Sequence, residues 1–162
     1  GAYTGAIDKE GLFSEADQGT LFFDEIENLT LNLQAKLLRV IETHEYYKLG
    51  GTKKYSSDFR LICATNCDLQ EMVDQGLFRL DLFYRLDVSH LIVPPLRQHK
   101  EDIDLLAYNY LKQARKHLSR EALRLLYEHN WPGNVRELFN CLERAVFAAK
   151  ASPVLFPQHF DI

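Results

Sequence analysis

Two short apolar runs, each ending in polar residues, constrain the fold of this chain more than any other feature. The run Leu21–Phe23 ends at Asp24 and Glu25, and the run from Phe59 to Ala64 ends at Thr65-Asn66. Neither run alternates between apolar and polar residues, which is typical of strands buried on both faces of a parallel sheet. The sequence therefore predicts an α/β fold with its polar residues at the ends of strands.

Helical patterns fill the space between these runs and dominate the chain after Pro94-Pro95. Residues 31–41 carry an apolar stripe that predicts a helix capped by Thr30, and Val88–Val93 predicts a third strand. We expect an α/β part over residues 1–95 and an all-helical part over residues 96–162. In the second part, Ser119 and Asn134 are the predicted caps of two helices, with Glu137 at the capping-box position of the latter.

Composition excludes several classes of function. The 162 residues carry a formal net charge of −4, which disfavours bulk binding to nucleic-acid phosphates. No stretch reaches the roughly 18 apolar residues of a membrane span, so we expect no membrane association. Three cysteines form no disulfide framework, and six scattered histidines form no metal motif. These features favour a cytoplasmic protein.

The polar residues at the strand ends are the first candidates for a functional site. Ligands of open α/β sheets bind beyond the carboxyl ends of the strands. There, Asp24 could hold the water shell of Mg²⁺ and Glu25 could polarise a water molecule, or both could form a solvated acidic loop. Asn66 could orient a water or a phosphate, or could belong to a turn that bonds to its own backbone.

Three arginines are the next candidates. Arg136 lies in the first turn of a predicted helix, where the helix dipole disfavours a cation, so it binds either a nearby carboxylate such as Glu137 or an anionic ligand. Arg79 and Arg85 are six residues apart, which corresponds to about 120° on a helix. They therefore serve different contacts, or one of them is structural.

The first six residues, Gly-Ala-Tyr-Thr-Gly-Ala, are small except for one aromatic ring. They form either a frayed terminus or a mobile loop that presents Tyr3 and Thr4 to a partner.

Taken together, these motifs resemble the sigma-54-interacting ATPase domain of bacterial enhancer-binding proteins, a branch of the AAA+ family. Residues 1–6 are similar to its sigma-contacting loop, residues 19–26 to its Walker B strand, and residues 60–66 to its sensor I strand. Residues 78–86 resemble its arginine-finger segment, and Trp131–Leu138 resembles the start of its sensor II helix. The resemblance runs from one end of the chain to the other.

The resemblance implies a partial AAA+ P-loop NTPase core, a parallel sheet with flanking helices, followed by a small helical lid. It implies ATP and Mg²⁺ as ligands, with Asp24 positioning Mg²⁺ through water, Glu25 orienting the attacking water and Asn66 sensing the γ-phosphate. Arg136 would contact nucleotide within its own subunit, whereas Arg79 and Arg85 would act on the ATP of a neighbouring subunit in a ring, usually a hexamer. The sigma-54 RNA polymerase holoenzyme would be contacted by Gly1, Ala2, Tyr3, Thr4, Gly5 and Ala6.

One expected motif is missing from the chain. No Gly-x₄-Gly-Lys-Ser/Thr phosphate loop occurs in the 162 residues, and the family's DNA-binding domain does not follow Ile162. We therefore expect a fragment of a longer regulator that alone neither hydrolyses ATP well nor binds an enhancer. DNA would be bound only through a separate C-terminal domain. The alternatives are a different AAA+ remodelling ATPase and a non-catalytic remnant that binds partners.

Overall fold

A computed structural model of the chain describes residues 11–48 and 50–162. The described residues fall into two compact units, of which the first ends at His90 and the second comprises Leu91–Ile162. The first unit contains α1 (Leu12–Glu15), β1 (Thr20–Phe23), α2 (Leu31–Thr43), β2 (Glu45–Tyr47), β3 (Lys54–Ser56), β4 (Arg60–Cys63), α3 (Leu69–Asp74) and α4 (Leu80–Leu86). The second contains α5 (Asp102–Ala114), β5 (His117–Leu118), α6 (Arg120–Glu128), α7 (Asn134–Ala148) and β6 (Val154–Leu155).

The two apolar runs form a pair of parallel strands. β1 and β4 run side by side in register, with Phe23 opposite Cys63. Beyond the strands, Ala64 N–H donates to the Phe23 carbonyl at 2.8 Å and Ile26 N–H donates to the Ala64 carbonyl at 3.1 Å. The backbone pairing therefore continues up to the residues that follow each strand. The prediction of strands at these two places is confirmed.

The prediction that both strands are buried on both faces is wrong. Phe22 is 59% exposed and its cross-strand partner Ile62 is 41% exposed. Leu21, whose side chain points to the opposite face, is buried. Within the described residues nothing covers the face that carries Phe22 and Ile62, so one face of the pair is packed and the other is open.

The packed face contributes to the core of the first unit. This core contains Ile26, Leu37, Phe78 and Leu82, with Phe23 packed against it. The helix that supplies Leu37, α2, starts after Thr30 as predicted, although the Thr30 hydroxyl makes no capping hydrogen bond. The core thus joins the segment after β1, one face of α2 and the start of α4.

The strands β2 and β3 form an antiparallel hairpin that the sequence pattern did not predict. Each strand has three residues, which is too short to show an alternating pattern. Tyr46 pairs with Tyr55 across the strands, and their rings stack with centroids 5.7 Å apart. Gly50 has a φ of 74°, the left-handed conformation that explains a glycine in the turn of this hairpin.

The prediction of a third strand over Val88–Val93 is wrong. Val88 lies in a turn and Ser89 in a bend, and the segment forms no strand pair among the described residues. Val88, Leu91, Ile92 and Val93 are 78–86% exposed. A run of apolar residues becomes a strand only where another strand satisfies its backbone groups, and none lies beside it here.

The second unit packs three helices around one core. Its fully buried residues include Ile103 from α5, Leu126 from α6 and Leu142 from α7, and Trp131 lies among them with 0% exposure. Ser119 caps α6 as predicted, accepting a hydrogen bond from Ala122 N–H at 3.1 Å. The unit is not all-helical, since β5 and β6 form a two-residue parallel pair.

No helix in the described ranges has both the length and the apolar character that crossing a bilayer requires.

Candidate functional site

The polar residues that follow β1 and β4 lie at one edge of the strand pair. Because the strands are parallel and in register, Asp24-Glu25 and Thr65-Asn66 both follow carboxyl ends at the same level. Asp24, Glu25, Thr65 and Asn66 are all exposed. The sequence pattern therefore correctly indicated that these residues share one edge, although it did not indicate their conformations.

Glu25 has an unusual backbone conformation. Its φ of 53° and ψ of 51° are left-handed values, which residues other than glycine adopt uncommonly and which concentrate at functional sites. Asn28 Nδ2 donates to Glu25 Oε2 at 3.0 Å, and Glu25 N–H donates to Asp24 Oδ1 at 3.0 Å. Both carboxylates are thereby oriented while remaining accessible to solvent.

The turn after β4 supports the interpretation of Thr65-Asn66 as a turn that bonds to its own backbone, and binding of a water or phosphate by Asn66 stays a prediction. Thr65 Oγ1 accepts from Cys67 N–H at 3.1 Å, so a side chain closes this turn on the backbone. The Cys67 thiol donates to Asn66 Oδ1 at 3.1 Å. Within the part of the chain that the structure describes, the Asn66 amide N–H groups have no acceptor and can donate to a ligand.

Arg79 precedes α4 instead of lying on it, so the helical angle between Arg79 and Arg85 predicted from their spacing does not apply. Its guanidinium forms a two-pronged ion pair with Asp81, with distances of 3.0 Å from Nε to Oδ1 and 2.6 Å from Nη2 to Oδ2. This hydrogen bonding holds the pKa of the Asp81 carboxyl below its usual value. Arg79 therefore has an anionic partner on its own chain.

Arg85 differs from Arg79 in this respect. It lies in the last turn of α4, is exposed, and contacts no carboxylate among residues 11–48 and 50–162. A cation at the carboxyl end of a helix is favoured by the helix dipole. Within the described residues the charge of Arg85 therefore has no carboxylate partner, and its action on a neighbouring subunit stays a prediction.

Arg136 lies in the other unit, in the first turn of α7. It is exposed and does not pair with Glu137. The Glu137 carboxylate instead accepts from Gly133 N–H at 2.7 Å and contacts His129 Nε2 at 3.0 Å. The structure therefore does not support pairing of Arg136 with the Glu137 carboxylate. Binding of an anionic ligand by Arg136 stays a prediction.

The predicted cap of α7 is wrong in detail. Asn134 is the first helical residue and has a φ of 53°, while Gly133 precedes it as the N-cap. The Asn134 Oδ1 accepts from Leu96 N–H at 2.9 Å, so this side chain holds the segment before α5 instead of capping its own helix. The Glu137 carboxylate accepts a hydrogen bond from the backbone N–H of the N-cap residue, as expected in a capping box, but this N-cap is Gly133 and not Asn134.

The charge of Glu137 gives the start of α7 a pH dependence. The Gly133 hydrogen bond, followed by the contact with His129, lowers the pKa of Glu137, so this carboxylate stabilises the folded state above about pH 4.3 and the contribution is lost as the pH falls through its folded pKa. We expect Glu137→Gln to lower the melting temperature at pH 7, and we expect this difference from the parent chain to converge towards zero as the pH falls through the folded pKa of Glu137. Glu143→Gln, an exposed change on the same helix, should show no such convergence; parallel curves for Glu137→Gln would contradict this assignment.

The described residues suit a magnesium–nucleotide complex better than an all-protein metal site. No group of three His, Cys, Asp or Glu residues within residues 11–48 and 50–162 could hold a metal ion. Mg²⁺ is commonly held by one or two carboxylates, water and substrate phosphates. The exposed carboxylate of Asp24, at the carboxyl edge of β1, fits this arrangement. The predicted loop residues Gly1, Ala2, Tyr3, Thr4, Gly5 and Ala6 lie outside the described residues.

Comparison with known protein families agrees with the resemblance of the motifs. The sigma-54 interaction domain family matches residues 1–92, and the AAA+ ATPase lid domain family matches residues 97–161. The chain therefore belongs to the sigma-54 interaction domain family and carries an AAA+ lid. The expected fold class, a partial AAA+ core followed by a lid, is confirmed.

Individual relatives cover nearly the whole chain. Regulatory protein AtoC of Escherichia coli (strain K12) is 48% identical over 98% of this chain, which corresponds to 36% of AtoC. The anaerobic nitric oxide reductase transcription regulator NorR of Salmonella paratyphi C is 47% identical over 100% of this chain and 35% of NorR. The crystal structure of NtrX from Brucella abortus in complex with ATP has a TM-score of 0.88 at 33% identity, covering 98% of this chain and 38% of NtrX. The chain thus spans about a third of the length of these three proteins.

Proposed function

We propose that this chain belongs to an ATPase that activates transcription by the sigma-54 RNA polymerase holoenzyme. The observation that carries the proposal is the in-register pairing of β1 and β4, because it brings Asp24, Glu25 and Asn66 to one edge. Membership of the sigma-54 interaction domain family supports it, as do relatives that are named as transcription regulators. The ATP-bound structure of NtrX supports nucleotide as the ligand.

In this proposal, three residues act on nucleotide bound to their own subunit. Asp24 would hold Mg²⁺ through water, and the ion when bound would neutralise charge on the phosphates. Glu25 accepts a proton from the attacking water and orients it, since Asn28 holds one carboxylate oxygen and leaves the other accessible. Asn66 donates its amide N–H to the γ-phosphate, and its orientation is held by the contact of Oδ1 with Cys67.

The arginines complete the proposed site. Arg136 contacts the nucleotide of its own subunit from a lid over residues 96–162, which follows a core over residues 1–95. Arg79 and Arg85 act on the ATP of the neighbouring subunit in a ring, for which a hexamer is the expected size. Arginine suits this task because its planar fork matches phosphate oxygens.

The remaining parts of the proposal concern partners. Residues Gly1–Ala6 couple the ATP state of the subunit to contact with sigma-54. DNA is bound through a separate C-terminal domain. The whole protein acts in the cytoplasm. Since the 162 residues contain no Gly-x₄-Gly-Lys-Ser/Thr motif, we propose that the chain in isolation hydrolyses ATP poorly.

The test is phosphate release from ATP by the full-length natural polypeptide that contains this chain. We expect Glu25→Gln to lower kcat by about 10²-fold or more while ATP still binds, because the carboxylate that accepts the proton is gone. Glu42→Gln changes an exposed carboxylate on α2 in the same way and should leave kcat unchanged. Equal rates for Glu25→Gln and the parent protein would overturn the assignment. ATP binding and turnover without capture of sigma-54 would favour a different AAA+ machine, and absence of nucleotide binding would favour a non-catalytic remnant.

A further inference from the structure

A fully buried glutamine connects the two parts of the site in the first unit. Gln34 lies in the first turn of α2 and is 0% exposed. Its Nε2 donates to the Leu29 carbonyl at 2.8 Å and to the Leu77 carbonyl at 3.1 Å, while its Oε1 accepts from Arg79 N–H at 2.9 Å. Both amide protons and the carbonyl are thus used, which fixes the orientation of the side chain.

The three partners of Gln34 belong to segments that the proposed function treats as parts of two active sites. Leu29 ends the short turn that begins after Glu25, which acts on the nucleotide of its own subunit. Leu77 and Arg79 flank the buried Phe78, and the side chain of Arg79 acts on the neighbouring subunit. One side chain therefore holds the backbone at the base of the arginine against the turn that follows the catalytic glutamate.

We propose that Gln34 is a positioning residue for Arg79. This inference rests on the proposed function, in which Arg79 contacts ATP of a neighbouring subunit. The guanidinium of Arg79 is exposed and paired only with Asp81, so its reach is determined by where its backbone is anchored. Within the described residues, the side chain that anchors that backbone amide is Gln34.

Burial alone does not account for this arrangement. An apolar residue would fill the same space in the core, but it would leave two carbonyl groups and one amide without partners. Those groups lie on two turns that are distant in sequence, since Gln34 is 43 residues from Leu77 and 45 from Arg79. The hydrogen bonds thus specify the relative position of the turns, which hydrophobic packing specifies less sharply.

The first experiment measures ATP hydrolysis by the full-length natural polypeptide. Gln34→Met keeps the side-chain length and removes all three hydrogen bonds. We expect kcat to fall by about 10²-fold, the size of effect that a misplacement of about 1 Å produces, with little change in KM. Gln70→Met is the matched control, because Gln70 is exposed on α3 and its side chain hydrogen-bonds only to Asp74 among the described residues. It should retain the parent kcat.

The second experiment mixes subunits and separates positioning from general loss of structure. Glu25→Gln subunits keep Arg79 but lack the proton acceptor, whereas Arg79→Ala subunits keep their own Glu25. In mixed rings, Arg79 of a Glu25→Gln subunit restores hydrolysis at the site of a neighbouring Arg79→Ala subunit. Adding Gln34→Met to the Glu25→Gln subunit should lower the restored rate about 10²-fold, and adding it to the Arg79→Ala subunit should leave the rate unchanged.

The outcomes distinguish this inference from the proposed function. An equal loss from both placements of Gln34→Met, or no loss from either, overturns the positioning role. If Arg79→Ala alone has the parent kcat, the function proposed for Arg79 fails, and the role of Gln34 fails with it. Should Gln34→Met not fold, Gln34→Asn takes its place in both experiments, because it keeps an amide in the core but is one methylene too short to bond all three backbone groups. The same two comparisons then decide the question.

Discussion

Replacing Trp131 with alanine is expected to lower the free energy of unfolding of the second unit by about 3–5 kcal/mol. Trp131 has 0% exposure and lies in the core formed by α5, α6 and α7. Its indole N–H donates to the Leu126 carbonyl at 2.8 Å, and the His129 ring packs edge-on at 4.6 Å. Alanine would leave both a cavity and an unpaired buried carbonyl, and the two costs add.

Urea unfolding of the chain, followed by far-ultraviolet circular dichroism, measures this effect. Trp131→Phe retains most of the ring volume without the N–H group and should lose less stability than alanine. Phe147→Ala is the control, because Phe147 is 87% exposed on α7 and should shift stability by no more than about 0.5 kcal/mol. A midpoint for Trp131→Ala that matches the Phe147→Ala midpoint would show that this ring does not hold the unit together.

Replacing Arg85 with alanine should lower kcat for ATP hydrolysis by about 10³-fold in the full-length polypeptide, the lower end of the effect of arginine fingers. Its charge is exposed at the end of α4 and meets no carboxylate in the described ranges, so the mutation removes only the small stabilisation that the helix dipole gives an exposed cation. The loss of activity is therefore expected with little change in melting temperature. Phosphate release and thermal unfolding, measured on the same sample, check both parts.

Arg97→Ala provides the comparison, since Arg97 is an exposed arginine in a short turn before α5. It should retain the parent kcat. If mixing Arg85→Ala subunits with Glu25→Gln subunits restores hydrolysis, Arg85 acts on the site of a neighbouring subunit. If the mixture stays inactive, Arg85 acts within its own subunit.

The elements that the sequence predicted correctly are those indicated by a local signal, such as a helix cap, or by a regular pattern of apolar residues. β1 and β4 appear as unbroken apolar runs, and Ser119 precedes a helix that it caps in the structure. The edge that carries Asp24 and Asn66 follows from these strands and from the parallel arrangement. The positions of the core helices follow from their apolar stripes.

The features that the sequence did not predict depend on distant partners. Val88–Val93 has strand composition but no neighbouring strand in the described part of the chain, and Asn134 bonds to Leu96 instead of to its own helix. Gln34 resembles any polar residue in the first turn of a helix until the turns at Leu29 and Arg79 fold against it. A polar residue inside the stripe that carries Leu33 and Leu37 was the available signal.

The open face of the β1–β4 pair also affects how the chain behaves in solution. Phe22 and Ile62 form an apolar pair on that face, and each strand has its second backbone edge unpaired among the described residues. Such an edge is a template for strands of other molecules. β1 itself carries no charged residue that would oppose this pairing. For the chain in isolation we therefore expect self-association by strand addition at these edges, at a rate that rises with protein concentration.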